Sequence, residues 1–258
     1  MQYKNFLLRI QNKVAVFMIN RPESRNAMNT ECWQELGQFL DEVDQNDNIQ
    51  VIVITGAGDK AFIAGADLKA LQGRTGVEAL YGLGQKVVRK IEESSKPVIA
   101  AINGLAFGGR CEIALACDIR IAADNAAFGL PETSLGILPG CGGTQRLSKL
   151  IGLGRAKEVI LAGRVISAQE AVQFGLAYKC VPQAELMKET MAVADTMMQK
   201  GPLALRLSKR LVGASLSTDQ ETGMLLELIG LSMTLDSADK AEGIEAFFAK
   251  RKPIYKGR

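Results

Sequence analysis

The chain has 258 residues, is 47% hydrophobic and 23% charged, carries a formal net charge of +3 and contains no histidine. The missing histidine excludes Ser-His-Asp triads, His-ligated zinc and histidine general bases, leaving proton chemistry near neutral pH to Glu, Asp, Lys, Cys or Tyr. The small, dispersed charge argues against nucleic acid, no apolar run approaches the roughly 20 residues that span a bilayer, and the first ten residues lack the apolar stretch of a secretory signal.

Elements follow in chain order. Val14–Ile19 reads as a strand, closed by a turn at Asn20-Arg21-Pro22. Thr30 is positioned to cap a helix over 31–43 that places Trp33, Leu36, Phe39, Leu40 and Val43 on one face. Residues 51–55, 98–102 and 119–122 read as three more strands, and strands alternating with helices predict an α/β core. Beyond Gly140 the texture becomes helical. Ser167-x-x-Glu170 is a capping box whose short helix Gly175 closes. Helices are expected over 186–200, 203–212, 218–235 and 238–250, with Gly201-Pro202 as a break. The predicted organisation is a core over 1–200 and a C-terminal helical region over 201–258. Met187, Met191, Met197 and Met198 are read as packing. The five cysteines (Cys32, Cys111, Cys117, Cys141, Cys180) are scattered without a Cys-x-x-Cys pair, which indicates reduced thiols in a cytoplasmic protein, with Cys111 a small buried residue.

Chemistry concentrates between Asn103 and Arg146. Two glycine-rich turns each deliver one glutamate into apolar sequence: Gly108-Gly109-Arg110-Cys111-Glu112-Ile113-Ala114 and Phe128-Gly129-Leu130-Pro131-Glu132. Desolvation disfavours the charged carboxylate and moves its pKa toward the range useful for acid–base work. Glycines before a helix leave backbone N–H groups free to hold developing negative charge. Carboxylates and backbone donors together suit proton transfer next to a carbonyl. Each glutamate also has a plainer reading, Glu112 as a first-turn acid favoured by the helix dipole and Glu132 as a loop acid after proline. Gly56-Ala57-Gly58-Asp59-Lys60-Ala61 fits the dinucleotide pattern G-x-G-x-x-A, but no helix start follows at once and no ribose-binding acid stands at the expected distance, so a polar turn is the expectation.

These residues resemble the enoyl-CoA hydratase/isomerase (crotonase) superfamily. The resemblance runs almost end to end: Asn20-Arg21-Pro22 with Asn26-Ala27-Met28-Asn29, Ala61-Phe62-Ile63-Ala64-Gly65-Ala66-Asp67-Leu68, Lys96-Pro97-Val98-Ile99-Ala100-Ala101-Ile102-Asn103-Gly104, the two glutamate motifs, Gly140-Cys141-Gly142-Gly143-Thr144-Gln145-Arg146, and Glu242-Gly243-Ile244-Glu245-Ala246-Phe247-Phe248. It implies an α/β spiral of ββα units with a C-terminal helical trimerisation region, assembled as a homo-hexamer that is a dimer of trimers. It further implies an acyl-CoA thioester substrate, with coenzyme A as part of the substrate and no metal or redox cofactor, while charge and hydropathy argue for no nucleic acid and no membrane. Glu112 and Glu132 match the catalytic acids, and Ala66 and Gly109 match the backbone donors of the oxyanion hole. Ala27, Ala64, Asp67, Leu68, Lys69, Gly140, Phe247 and Lys250 match substrate- and CoA-binding positions. Both glutamates together resemble a hydratase acting on a short-chain trans-2-enoyl-CoA.

Arg110 departs from the pattern, standing where the family usually has a third glycine. A cation at a helix start opposes the dipole. Three outcomes are open for it: it points to solvent, it lowers the pKa of a nearby glutamate, or it shrinks the acyl pocket. The rival readings are a Δ3,Δ2-enoyl-CoA isomerase or related acyl-CoA lyase, an RNA-binding homologue, and a CoA-binding homologue disabled by Arg110. Against RNA, the helix that would carry lysines holds Glu31, Glu35, Asp41, Glu42, Asp44 and Asp47 instead.

Overall fold

Phe6–Gln11 (β1) and Val14–Ile19 (β2) form an antiparallel hairpin over Asn12 and Lys13, both at positive φ (47° and 64°), as a tight hairpin turn requires. The computed structural model describes residues 3–24, 26–63 and 71–258. Helix α1 (Thr30–Asp44) follows, but Asn29 rather than Thr30 is its cap: the Asn29 side chain accepts from Cys32 N at 2.8 Å, and Thr30 is already helical. Strands Val51–Gly56 (β3), Val98–Ile102 (β5), Ile119–Ala123 (β7) and Lys179–Val181 (β10) extend the first hairpin into a six-stranded sheet ordered β1-β2-β3-β5-β7-β10, parallel from β2 onward. Short partners, Ala61–Ile63 (β4), Leu105–Phe107 (β6), Ala127–Gly129 (β8) and Ile166–Ser167 (β9), form a second sheet ordered β4-β6-β8-β9. Successive pairs β3/β4, β5/β6 and β7/β8 each give one strand to each sheet. This repeated step is the turn of a spiral.

Alternation explains why the long strands read as continuous apolar runs. Ala15, Phe17, Ile52, Ile54, Ala100 and Ile102 face one core, where α1 contributes Leu36, Phe39 and Leu40. Val14, Val16, Val51, Val53, Ile99 and Ile121 face a second, smaller core under helix α8 (Leu186–Met198). A sheet buried on both faces has no polar side to show. The four methionines of α8 pack on that second core, as expected of them. Phe17 stacks between Phe6 and Phe39 at centroid distances of 4.1 and 4.0 Å.

The glycine-rich stretch after β3 is a strand-to-strand turn. Asn103 Nδ2 donates to Gly56 O (2.9 Å) and Gly58 O (2.6 Å), its Oδ1 accepts from Gly56 N (3.2 Å), and Asn26 Nδ2 donates to Ala57 O and Ala61 O at 3.0 Å. A Cβ on Gly56 would lie 2.0 Å from Phe62 O, so only glycine lets the two turn arms close. The dinucleotide pattern is thereby accounted for by backbone packing.

Helices α2 (Gly76–Leu80) and α3 (Leu83–Glu93) precede β5, and α4 (Gly109–Ala116) follows β6. Helices α5 (Gly143–Ile151) and α6 (Leu153–Leu161) precede β9, and α7 (Ala168–Gln173) opens on the Ser167/Glu170 capping box and ends before Gly175 at φ 75°. Helix α8 stops at Met198, two residues before the expected end. Helices α9 (Pro202–Ala214), α10 (Gln220–Leu235, capped by Asp219) and α11 (Ala238–Phe248) complete the chain. Lys209 of α9 fastens this region to the core: it is paired with Asp118 at 2.9 Å, and its Nζ donates to Ile91 O and Lys96 O at 3.0 Å. Among the described residues, no helix is long and apolar enough to cross a membrane.

Candidate active site

Both glutamates flank the turn that starts α4. Gly108, at φ 65°, turns the chain from β6 into the helix, and Glu112 lies in the first turn. A Cβ on Gly108 would sit 3.2 Å from Glu132 Oε1, and one on Gly109 3.6 Å from Glu112 Oε2. The two acids therefore approach adjacent α-carbons of one backbone turn. Glu132 reaches it from the 3-10 helix Pro131–Leu135, which Gly136 ends at φ 71° and which Thr133 Oγ1 ties to Ile160 O at 2.9 Å.

Their environments differ. Glu112 is 1% exposed, and its Oε1 accepts from Cys141 N and Gly143 N, both at 2.7 Å. Burial raises its pKa, while the two N–H donors and the Arg146 cation hold it down by favouring the carboxylate. Glu132 Oε2 is buried without a hydrogen-bond partner. Burial pushes the Glu132 pKa up to about 7, and the neighbouring Glu112 charge adds to the rise. Burial thus raises Glu112 against donors that favour its carboxylate, whereas its less-supported neighbour is held near half-protonation at neutral pH.

Of the loop that grips Glu112, the sequence reading places only Gly140 in the site, not the Cys141 and Gly143 amides that do the gripping. Arg146 makes a bidentate pair with Glu92 at 2.6 Å and donates to Cys141 O at 2.6 Å, fixing the 141–143 backbone. A Cβ on Gly143 would lie 2.9 Å from Leu130 Cδ1 and 3.0 Å from Glu112 Oε1. Gly143→Ala should therefore displace the Glu112 carboxylate and lower turnover on the order of 10–100-fold, with a melting curve shifted far less, since sub-ångström misplacement of a reacting group is costly in rate. A wild-type rate in that variant would show that the loop yields. The glycine run from Gly140 to Gly143 was the available signal. Trp33, on the apolar face of α1, also reaches the site: its ring comes within 3.5 Å of the Cβ position on Gly109 and 3.6 Å of that on Gly84. Burial also pushes the Cys141 thiol up to about 12, so it is an apolar wall rather than a nucleophile. Cys111, 1% exposed with its pKa likewise raised by burial, is the small core residue expected.

Arg110 does not point to solvent: it is 2% exposed. Its charge acts on Glu132, lowering a pKa that burial and Glu112 raise. Of the other expected positions, Gly109 is at the first residue of α4 and Ala27 sits in the Asn26–Met28 turn, its carbonyl accepting from Arg21 Nη1. Gly140 is exposed beside the Glu112-gripping loop. Phe247 lies near the end of α11, 79% exposed, and Lys250 follows the helix at φ 50°. Helix α11 packs against α10. Ala64, Ala66, Asp67, Leu68 and Lys69 lie outside the described residues.

A two-sheet spiral with paired acids at a glycine-rich helix start defines an acyl-thioester enzyme of crotonase type, and the chain belongs to the enoyl-CoA hydratase/isomerase family, whose profile matches residues 9–258. It is 44% identical over 254 residues to a crotonyl-CoA hydratase of Syntrophomonas wolfei (98% of each chain). It is 41% identical to a short-chain-enoyl-CoA hydratase of Clostridium acetobutylicum (98% of this chain, 97% of that one). The crystal structure of an enoyl-CoA hydratase from Bacillus anthracis superposes with a TM-score of 0.95 at 40% identity, covering 99% of this chain and all of that one.

Proposed function

We propose that this chain is an enoyl-CoA hydratase that adds water across the 2,3 double bond of a short-chain trans-2-enoyl-CoA to give the 3-hydroxyacyl-CoA. The observation that carries the reading is the unequal treatment of two adjacent acids, Glu112 held by two N–H donors and Glu132 left with a desolvated, unpartnered oxygen. Glu112 orients water and takes its proton as oxygen attacks the β-carbon. Electron density moves onto the thioester oxygen, where the N–H groups of Gly109 and Ala66 stabilise the enolate. Glu132, protonated near neutral pH, delivers a proton to the α-carbon. The proton taken and the proton given balance, so the scheme needs no metal or redox cofactor. Ala27, Ala64, Asp67, Leu68, Lys69 and Gly140 contact the thioester and its CoA carrier. An isomerase would need only one of the two acids. The test is loss of the ultraviolet absorbance of crotonyl-CoA, compared with shift of the double bond in a 3-enoyl-CoA; isomerisation without hydration would overturn the assignment.

Arg110 tunes this chemistry. Its cation favours the Glu132 carboxylate, so Arg110→Gly should raise the Glu132 pKa further. The acid then stays protonated to higher pH, and the alkaline limb of kcat/KM moves up from about 7. Profiles that superpose would show that Arg110 acts on the acyl pocket alone or not at all.

The same reading divides the chain into a core over 1–200 and an assembly region over 201–258, acting in the cytoplasm. Helix α10 is apolar nearly all round, with Leu225, Leu228, Ile229, Leu231 and Leu235 more than half exposed. Such a helix belongs in an interface. We expect a trimer, paired into a hexamer, in which Phe247 and Lys250 approach CoA on a neighbouring subunit. Sedimentation equilibrium giving a monomer would refute this.

A further inference from the structure

At the end of the larger sheet where β2, β3 and β5 begin, a cavity of about 610 Å³ separates the core from the C-terminal helices. Six cations line it: Lys13 from the first hairpin turn, Lys96 from the approach to β5, Lys200 and Arg206 from the α8–α9 junction, and Lys256 and Arg258 from the C-terminal tail. Among the described residues, Asp47 is the one acidic side chain in the lining. Among the described residues none of the six is in an ion pair, although the chain offers 28 acids for its 31 Lys and Arg.

The tail that brings two of these cations is built in place. Asp239, 6% exposed on α11, accepts from Lys256 N at 2.6 Å and Gly257 N at 2.8 Å, and Glu242 accepts from Ile254 N at 2.7 Å. A buried carboxylate is spent on the tail backbone, which holds Lys256 and Arg258 at the cavity. Like charges converging from four separate segments repel one another unless an anion lies between them. Beside the polar Gln50 and Ser95, the lining includes Met197, Leu203 and the partly exposed Tyr255, which offer a surface on which a flat ring can rest. The volume lies within the range of small-molecule sites, which favour the junction of two structural units.

We propose that this cavity binds a nucleotide carrying two or more phosphates, with the phosphates among the six cations and the base against Met197, Leu203 and Tyr255. It is distinct from the glutamate site, and it does not depend on the hydratase reading. The test is calorimetric titration of ATP into the whole protein at low salt. One ATP per chain should bind with Kd on the order of micromolar, and the affinity should fall as salt screens the phosphates. The double charge reversal Lys200→Glu/Arg206→Glu, at two exposed positions, should weaken binding by about 100-fold while KM for crotonyl-CoA and the melting temperature stay unchanged. Lys256→Glu on the tail should weaken it independently. No binding at millimolar ATP would overturn the proposal. So would binding that all these variants leave intact, since the nucleotide would then sit elsewhere.

Discussion

Glutamine at Glu112 or Glu132 should each cut crotonyl-CoA hydration by about 10²–10⁴-fold, the usual contribution of one positioned acid or base, equivalent to about 3–5 kcal/mol of barrier. The two variants fail for different reasons. Glutamine at Glu112 can still accept from Cys141 N and Gly143 N through its amide oxygen, so the loop keeps its shape and thioester binding persists. Only the base is lost. Glutamine at Glu132 removes an acid that the fold holds at some cost. Its pKa of about 7 lies above the ordinary carboxylate value, so the native state binds its proton more tightly than the unfolded chain does. That preference is fully present below the unfolded pKa and is lost as pH rises through about 7. Glu132→Gln should therefore unfold later than wild type at pH 8 and equally at pH 4.5, by a margin reduced because the carboxyl is only half-buried. Activity lost while stability rises would mark Glu132 as a functional acid. A Glu132→Gln enzyme with wild-type turnover would remove it from the reaction.

The long strands and the principal helices were legible because their apolar periods are strong. The short second-sheet strands were not: Ala61–Ile63, Leu105–Phe107 and Ala127–Gly129 have too few residues for a period, and each exists because it pairs with the previous turn of the spiral. The pair Glu112 and Glu132 could be found from composition, since carboxylates among Ile, Ala and Leu are unusual. What held them could not. The Cys141 and Gly143 amides come from 29 and 31 residues away, and backbone donors leave no mark beyond the glycines that let them approach. Of the three outcomes the sequence leaves open for Arg110, the structure excludes solvent and favours an effect on a nearby glutamate. Its residue type alone could not choose among them, since a cation is ordinarily found at the surface and this one is buried.

Arg120→Met should destabilise the protein by about 3–5 kcal/mol, the largest single effect expected away from the site, because it strips one side of a buried polar cluster. Arg120, on β7, is 7% exposed and donates from Nε to Leu176 O and from Nη1 to Ala114 O and Cys117 O. Two of these carbonyls belong to the C-terminal end of α4, whose last C=O groups have no partner within the helix. The cation also complements the negative end of the dipole there. Burial lowers the pKa of Arg120, a cost that methionine would recover in part. Methionine matches the length but donates nothing, so three buried carbonyls would remain to be satisfied. Chemical denaturation at fixed protein concentration measures the effect, which for a chain of this size is roughly 6–15 °C in Tm. A loss below about 1 kcal/mol would mean that water reaches the α4 terminus and replaces the guanidinium. The opposite end of α4 carries Gly109 and Glu112. If the helix moves as a rigid rod, Arg120→Met should also slow hydration with KM little changed; if only its last turn frays, stability should fall while turnover at low temperature remains intact.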